Sequence, residues 1–354
     1  MAVSDSKPLI TTIIPTYRRP RLLGRAIRSV LAQTYPYFQL FIYDNASGDD
    51  TAEVVAEYVA SDSRVKYFCR PENIGGFKNF AEPLEHVETP FFSFLADDDV
   101  LLPDMYQVTL AGIGEFPEAM ISAAVTIFVD EQGRVLEVRT SSWRPGLYTP
   151  PGGMLAMLQD GHPSWTGMLF RREVLEKVGN LDVELGNPFD LDFELRIAAH
   201  FPIVVSLKPV AICIIHPASQ SASGTSEEKY AGWLKMIGKI TRDEAIPCHA
   251  RRQAADMLNE HLKAWLSQAV LGSIVRSKWE EVEKAIDILR NYYHLTLRSS
   301  LLTILAGTCR SIPPIHVLLK GVRALRRFVA SVVPDPSAKQ LQRSYGAYVR
   351  HLEL

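Results

Sequence analysis

The sequence has little of what marks several classes of protein. Its 38 basic and 40 acidic residues nearly cancel, so the overall charge does not favour nucleic acid as a partner. No apolar run approaches the roughly 18 residues that span a bilayer, and the polar residues 1–7 lack the pattern of a secretory signal. The four cysteines are far apart, which predicts free thiols rather than disulfides. We therefore expect a globular protein in a reducing, cytoplasmic setting, with no nucleic-acid partner.

The chain does contain enough apolar sequence for a large core, with 354 residues of which 47% are hydrophobic. Its first hundred residues alternate β-rich runs with helical patterns, and the strands are predicted at Ile10–Ile14, Phe38–Tyr43, Val65–Cys69 and 91–96. Repeated strand-then-helix units predict a parallel, doubly wound sheet with right-handed crossovers. In such a sheet, ligands bind at the carboxyl ends of the strands.

The pattern changes after Met120. The sequence predicts a strand pair, then a helix that begins at Pro188 with Asn187 as its cap, then two further strands. Those four strands are Met120–Val129, Val135–Thr140, Ile203–Leu207 and Val210–Ile215. A Ser-, Ala- and Gly-rich stretch at 218–228 reads as a mobile loop, and only helical patterns follow it. We therefore predict a first domain at 1–224 and a helical region at 225–354.

Three consecutive aspartates, Asp97, Asp98 and Asp99, follow the apolar run 91–96. Carboxylates that emerge together at the edge of a core repel one another, and their desolvation is costly. A divalent cation with a polyphosphate behind it would compensate both effects, because carboxylate oxygens suit Mg²⁺ or Mn²⁺. The alternative is a solvated acidic turn that caps the next helix.

Four segments in this order and spacing resemble family 2 glycosyltransferases with the glycosyltransferase A fold. They are Ile13–Arg19, Tyr43–Ser47, Asn73–Asn79 and Leu95–Asp99. The resemblance extends from about residue 10 to about residue 221. It implies an α/β fold with a Rossmann-like, mostly parallel central sheet flanked by helices, and the all-helical C-terminal region lies outside it.

The resemblance also implies where a nucleotide binds. Asp44 follows a strand end, where its carboxylate would accept from the N3 hydrogen of a uracil-like base, and Tyr17 offers a ring for stacking. The alternative for Asp44 is that it caps a turn with Asn45 and Ser47. Asn73 and Asn79 flank a Gly75-Gly76 turn that permits close approach of the backbone, and they either line the nucleotide and its phosphates or are ordinary loop residues. The predicted nucleotide-binding residues are Pro15, Tyr17, Arg19, Asp44, Asn73, Asn79 and Asp97.

The metal motif departs from the family pattern. The family has Asp-x-Asp after a leucine, whereas this chain has Ala96 in the position of the first aspartate. The predicted ligands of Mn²⁺ or Mg²⁺ are therefore Asp98 and Asp99, together with His216 from the segment that follows the last strand. A structural role for His216 is the alternative.

A catalytic base is needed because an acceptor hydroxyl is a poor nucleophile until its proton can leave. The segment 190–196 is similar to the family's Glu-Asp helix, with Leu191 in place of the glutamate, and this alignment predicts Asp192 as the base. The alternative is an acidic residue that stabilises a helix N-terminus. Glu194 is expected to point elsewhere, into a helix-surface pair. Trp165, Thr166 and Gly167 are predicted on the acceptor side.

The predicted function is an inverting, metal-dependent hexosyl transfer from a nucleotide-diphosphate sugar, with UDP favoured, to a hydroxyl of a glycan or lipid-linked acceptor. Synthesis of cell-surface polysaccharide is the expected setting. A non-catalytic nucleotide- or glycan-binding protein on the same fold is the alternative. Phosphoryl transfer through an aspartate nucleophile is disfavoured because Leu101 stands where those enzymes have Thr or Val.

The C-terminal region raises a separate question. Residues 299–334 contain no acidic residue, and basic side chains alternate there with an apolar stripe that includes Leu318, Val322 and Leu325. Such a helix fits an anionic membrane surface, which predicts peripheral association with the inner face of the membrane. The alternative is that the stripe packs on the catalytic domain or on a second copy of the chain in a homo-oligomer.

Overall fold

The structure is a computed structural model that describes residues 7–216, 226–311 and 336–350. Within these residues a ten-stranded sheet forms, with strand order β3-β2-β1-β4-β9-β6-β10-β5, and β7 and β8 pair with β6 and β10. The strands are β1 (Ile10–Thr16), β2 (Phe38–Asp44), β3 (Val65–Cys69), β4 (Phe91–Phe94), β5 (Val100–Leu101), β6 (Ile121–Asp130), β7 (Val135–Arg139), β8 (Gly146–Tyr148), β9 (Met168–Arg171) and β10 (Ile203–Ile215).

Helices cover the sheet and continue beyond it. They are α1 (Pro20–Leu31), α2 (Thr51–Ser61), α3 (Gly76–Ala81), α4 (Met105–Glu115), α5 (Gly152–Asp160), α6 (Glu173–Val178), α7 (Phe189–His200), α8 (Ser226–Arg242), α9 (Cys248–Val275), α10 (Trp279–Asp287), α11 (Thr296–Ser311) and α12 (Pro336–Val349). In the described residues, none of these helices is both long enough and apolar enough to cross a membrane.

The first four strands form the predicted parallel layer. β2 and β4 lie on either side of β1, and β3 lies beyond β2, all in parallel register. Every residue of β1 and β4 is buried, which explains why their sequences are apolar without alternation. The chain therefore leaves β1, β2 and β4 at the same edge of the sheet.

The second half of the sheet is mixed. β9 is antiparallel to both β4 and β6, whereas β10 is parallel to β6. Two predicted strands are in fact the single strand β10, which continues through an irregularity in register at Pro209. Proline has no backbone N–H to donate to the neighbouring strand, and this accounts for the local shift. Helix α7 begins at Phe189 with Pro188 as its N-cap, one residue later than predicted.

The helical region packs on the sheet domain through a shared core. Met236 of α8 and Leu258 and Leu262 of α9 belong to the same cluster of buried side chains as Phe193 of α7. Helix α12 packs on β7, where Gln342 accepts a hydrogen bond from the backbone of Val135 at 2.8 Å. The predicted division at residue 224 lies outside the described residues, as do residues 218–225 of the predicted loop and residues 312–334 of the amphipathic segment, and these stay predictions. The last three residues of the predicted loop, 226–228, are instead the start of α8.

Candidate functional site

A cavity of about 630 Å³ lies where β1, β2 and β4 end. Its wall contains ten of the predicted site residues, namely Pro15, Tyr17, Arg19, Asn73, Asn79, Asp97, Asp98, Asp99, Trp165 and Thr166. Four others are not in the wall: Asp44, Gly167, Asp192 and His216. The carboxyl ends of parallel strands thus gather most of the predicted side chains into one space, as the sheet topology requires.

Asp97 is held at the edge of this cavity by neutralising partners. Its carboxylate accepts hydrogen bonds from the Thr16 hydroxyl at 2.8 Å and from Arg19 Nη1 at 3.0 Å. Burial, and secondarily the charge of Asp98, raises the pKa of Asp97 to about 6. The positive charge expected from the acidic triplet is thus supplied in part by Arg19, a side chain of the same chain.

Asp98 and Asp99 differ in what their oxygens contact. Asp98 Oδ2 lies 2.7 Å from Arg19 Nη1 and 2.8 Å from His216 Nε2. Both oxygens of Asp99 are taken by protein donors, with the Ile214 amide at 3.1 Å on Oδ1 and the Thr166 hydroxyl at 2.9 Å on Oδ2. Burial, followed by the charge of Asp98, raises the pKa of Asp99 to about 7. Asp99 therefore holds the end of β10 through hydrogen bonds. These contacts do not support its predicted role as a metal ligand.

The donor atoms at Asp98 and His216 are of kinds that Mn²⁺ accepts. Among the residues that the structure describes, no group of three or more His, Cys, Asp or Glu side chains is arranged to hold a metal ion. From the residues that the structure describes, a divalent ion there would take these two ligands. Phosphate oxygens and water would have to complete the shell, which is common for Mg²⁺ at nucleotide sites.

Asp44 makes the contacts of a turn-capping residue. Its Oδ1 accepts from the Ser47 amide at 3.0 Å, its Oδ2 accepts from the Tyr67 hydroxyl at 2.6 Å, and the side chain is almost fully buried. The structure therefore does not support a direct contact between Asp44 and a base, because both oxygens already have donors. Arg18, whose φ is 56°, donates from its amide to Ser47 at 2.8 Å and joins the two strand ends.

The loop after β3 is hydrogen-bonded to the end of β2, at the sheet edge that borders the cavity. Asn45 donates to Asn73 Oδ1 at 3.0 Å, and Asn79 donates to the Tyr43 carbonyl at 2.9 Å. Gly75, at φ 87°, makes the turn between them in a conformation that other residues rarely adopt. Arg70 donates to Asn79 at 2.7 Å. The loop amides are thus positioned by a continuous set of hydrogen bonds.

Trp165 forms an aromatic wall on the other side of the cavity. Its ring stacks on Phe94 at a centroid distance of 4.7 Å and meets Phe189 edge-on at 5.7 Å. Gly167 is required for packing rather than for ligand contact, because a Cβ there would lie 2.5 Å from Thr126 Oγ1 and 2.9 Å from the Ala124 carbonyl. Trp165 and Thr166 therefore remain candidates on the acceptor side, and Gly167 does not.

Asp192, the predicted base, points away from the cavity. Its carboxylate is 1% exposed and lies 2.8 Å from Arg196 Nε and 3.0 Å from Lys239 Nζ. Asp190, two residues earlier on α7, is in the cavity wall instead. Residues two apart on a helix face different directions, so only one of these carboxylates can reach the cavity. Of the two carboxylates, Asp190 and not Asp192 lies in the cavity wall.

Several cavity residues were not assigned a role from the sequence. They are Asn45, Phe128, Arg139, Ser164, Phe189, Asp190, Cys213 and Ile215. Half of them come from β6, β7 and β10, whose sequences are ordinary strands without a motif. Asp190 did have a signal: it is the first acidic residue of α7, where a helix start meets the sheet edge. Burial raises the pKa of Asp190 above that of an ordinary carboxyl group.

Comparison with known proteins finds a match to a family model and a solved structure of similar fold. Residues 11–179 match the model described as Glycosyl transferase family 2. An uncharacterized protein of Mycobacterium tuberculosis is 27% identical over 208 residues, which is 56% of this chain and 64% of that protein. The GalNAc(5)-diNAcBac-PP-undecaprenol beta-1,3-glucosyltransferase of Campylobacter jejuni is 36% identical over 98 residues, 27% of this chain and 31% of that enzyme. Both matches span less than two thirds of the relative's own length.

A solved structure extends the likeness of the fold. S. aureus TarS 1–349 in complex with UDP-GlcNAc superimposes with a TM-score of 0.62 at 17% identity, and the match covers 85% of this chain and 91% of that one. The predicted fold class, an α/β glycosyltransferase A architecture with an extra helical C-terminal region, is confirmed.

Proposed function

Because residues 11–179 of this chain belong to glycosyl transferase family 2, we propose that the protein is an inverting glycosyltransferase that moves a sugar from a UDP-sugar to an acceptor hydroxyl. One observation carries the proposal. Asp98, at the end of β4, and Asp190, at the start of α7, line the same cavity. A site for diphosphate and a candidate base therefore share one space, as a single displacement requires.

The nucleotide is proposed to lie along the ends of β1 and β2. Tyr17 is 38% exposed, so part of its ring is accessible for stacking on a base, and the Arg18 guanidinium lies 5.1 Å from the ring centroid. Asn73 and Asn79 would line the phosphates or the ribose, with Asp97 on the sugar side. Asp44 holds the turn beneath them. The choice of uridine is supported by the similarity in fold to a protein that was solved with UDP-GlcNAc.

A divalent ion, Mn²⁺ or Mg²⁺, is proposed to be held by Asp98 and His216. When bound, such an ion stabilises the negative charge of a departing diphosphate. Arg19 already contacts Asp97 and Asp98, and its guanidinium would lie beside the same phosphates. Asp97 and Asp98 would thus position two cations, Arg19 and the metal ion, beside the diphosphate.

Asp190 is proposed as the base. Its carboxylate would take the proton of the acceptor hydroxyl while that oxygen attacks the anomeric carbon and the bond from this carbon to the diphosphate breaks. The sugar becomes bonded to the acceptor oxygen with inverted configuration, and the diphosphate departs with the electrons of the broken bond. Since burial raises the pKa of Asp190, the carboxylate is a stronger base than an exposed aspartate.

The proposed activity is tested by incubating the full chain with UDP-glucose, UDP-galactose or UDP-N-acetylglucosamine and measuring the release of UDP. Calorimetric titration with UDP, with Mn²⁺ and with EDTA, measures binding separately. Binding together with donor turnover supports an enzyme. Binding without turnover of any donor, even with glycan acceptors added, would favour the non-catalytic binding protein instead.

The metal role predicts the behaviour of Asp98→Asn. We expect this variant to weaken UDP binding by at least about tenfold in Mn²⁺, because one anionic ligand is lost. In EDTA the variant and the parent should bind UDP with similar affinity. Thr126→Val, a change in the sheet core next to Gly167, serves as a control for general damage. Equal weakening of binding in Mn²⁺ and in EDTA would contradict a metal role.

The acceptor is proposed to be lipid-linked, which would place the protein at the inner face of the membrane. The name of the Campylobacter relative includes an undecaprenol-linked substrate. In the described part of this chain, Leu301 and Ile304 on α11 are 60% and 65% exposed, and adjacent exposed apolar residues suit a lipid surface. Synthesis of a cell-surface polysaccharide is the proposed setting.

Sedimentation with vesicles tests this membrane association. We expect the protein to sediment with phosphatidylglycerol vesicles at low salt and to be released as salt rises. Leu301→Ser/Ile304→Ser should weaken the association, whereas Leu136→Ser, an exposed apolar residue of β7, should not. A protein that stays in the supernatant and elutes as a dimer would instead indicate that this face joins two copies.

A further inference from the structure

Glu194 is a fully buried acidic side chain with no evident role in holding the fold. It lies on α7 with 0% exposure, and among the described residues neither carboxylate oxygen accepts a hydrogen bond of ordinary geometry, although His162 Nδ1 lies 3.4 Å from Oε2. The prediction that Glu194 forms an ion pair on the surface of the helix is therefore wrong. A buried carboxylate without donors is costly, so a residue of this kind calls for an explanation.

The cationic neighbour of Glu194 is His162. The imidazole Nδ1 lies 3.4 Å from Glu194 Oε2 and 3.0 Å from the Pro163 carbonyl, so a proton on Nδ1 faces both acceptors. Nε2 lies 3.5 Å from Arg139 Nη1. Arg139, on β7, lines the cavity and pairs with Glu137 at 3.1 Å. His261, on α9, also interacts electrostatically with His162. A line of charged groups thus runs from the buried side of α7 to the cavity wall.

Asp190 stands at the cavity end of this line. It precedes Glu194 by four residues, so the two carboxylates lie on the same face of α7, one turn apart. Asp190 and His162 are close enough for their charges to interact. The carboxylate that lines the cavity therefore has a like charge directly behind it on the helix and a cation beside it.

Burial and the charge of the partner act on the pKa of both groups. Burial raises the pKa of Glu194. Burial by itself lowers the pKa of His162, but the neighbouring Glu194 charge opposes this, and the net pKa of His162 is above its usual value. If His162 lost its proton, the buried Glu194 carboxylate would keep only the weaker interaction with Arg139, which favours uptake of a proton by Glu194 instead. One proton therefore stays in the pair.

We propose that His162 and Glu194 share this proton and act as a positioning pair that sets how readily the Asp190 carboxylate accepts a proton from the acceptor. The proposal rests on the proposed role of Asp190 as base. His162 in its charged form keeps Asp190 ionised, and Glu194 limits how strongly it does so. Neither residue is proposed to touch the substrate.

The proposal predicts that the two single variants shift the acid limb of the pH–rate profile in opposite directions. In His162→Gln the cation beside Asp190 is lost, so the pKa of Asp190 rises and the acid limb of the pH–rate profile should move up by about one pH unit. In Glu194→Gln the like charge is lost while His162 still carries its proton at the acid limb. The limb should then move to lower pH, and the rate on the plateau should fall because Asp190 becomes a weaker base.

The double variant distinguishes two explanations: one proton shared by the pair, or two charges that act on Asp190 independently. Without His162, Glu194 is protonated and uncharged, so His162→Gln/Glu194→Gln should match His162→Gln. Independent charges would instead place the limb of the double variant between those of the single variants. The profiles are measured by release of UDP from the best of the three UDP-sugars, between about pH 5 and pH 9.

Histidine NMR gives a readout that needs no activity. The His162 signal, assigned by its loss in His162→Gln, should titrate above about 6.5 in the parent protein and at lower pH in Glu194→Gln. His200→Gln is the matched control, since His200 lies 2.7 Å from Asp243 Oδ2 elsewhere on α7, and it should move neither the His162 midpoint nor the acid limb.

The outcomes distinguish failure of the pair from failure of the proposed function. If the His162 midpoint is the same in Glu194→Gln and in the parent protein, the pair does not exist, whatever the enzyme does. A lowered midpoint with no shift of the acid limb in either single variant would mean that the pair exists but does not act on Asp190. If no UDP-sugar is turned over, the titration still tests the pair, and the proposed function alone fails.

Discussion

Replacing Asp190 with asparagine is expected to lower the turnover of a UDP-sugar by about 10²- to 10⁴-fold, the usual contribution of a general base. Binding of UDP should stay within about twofold, because an effect confined to the chemical step leaves ground-state binding unchanged. Asparagine preserves the shape of the side chain but cannot accept the proton. Turnover is measured as UDP release at saturating donor, and binding by calorimetry.

The expected split between turnover and binding separates catalysis from positioning. A variant that loses UDP binding in the same proportion as turnover would show that Asp190 organises the donor site instead. Asn187→Asp, which introduces a carboxylate into the same wall three residues earlier, can be added to Asp190→Asn to ask whether another carboxylate in the wall restores part of the rate. Full turnover in Asp190→Asn under saturating substrates would remove the proposed base.

Replacing Asp192 with asparagine should damage stability instead. The change leaves Arg196 and Lys239 facing a neutral group in a site where Asp192 is 1% exposed. Breaking a buried ion pair from one side costs about 3–5 kcal/mol, and partial exposure of both cations places the expected loss near about 2–3 kcal/mol. Urea unfolding measures the loss. At a temperature where the variant is folded, turnover should stay within about threefold of the parent.

Asp182→Asn is the matched control for this prediction. Asp182 contacts the same Lys239 at 2.8 Å, but its side chain is 35% exposed, so the expected loss is below about 1 kcal/mol. A fully stable Asp192→Asn protein with turnover reduced a hundredfold would restore Asp192 as the base and overturn the assignment to Asp190. Together, the two asparagine variants decide which acidic residue of α7 carries the chemistry.

Local sequence patterns were sufficient for the first half of the fold. The apolar runs of β1 and β4 are buried on both faces, and a strand of this kind needs a parallel neighbour and covering helices. The later strands were harder to predict, since the shift at Pro209 within β10 looked like a break between two strands. Proline usually ends a strand, and only the pairing of β10 with β6 carries the strand past it.

The site residues that follow strand ends were predictable from the sequence. Those on a helix or in a turn were not, because the direction of their side chains decides whether they reach the cavity. The sequence by itself determined that Asp97, Asp98 and Tyr17 would meet, because the ends of parallel strands lie at one edge of a sheet. Only the tertiary structure placed Asp190 rather than Asp192 in the cavity wall, and only it showed that each oxygen of Asp44 and of Asp99 accepts from a protein donor. The physical reason is that the direction of a side chain depends on what packs around its helix or turn, and those partners, such as Lys239 and Ile214, are distant in the chain.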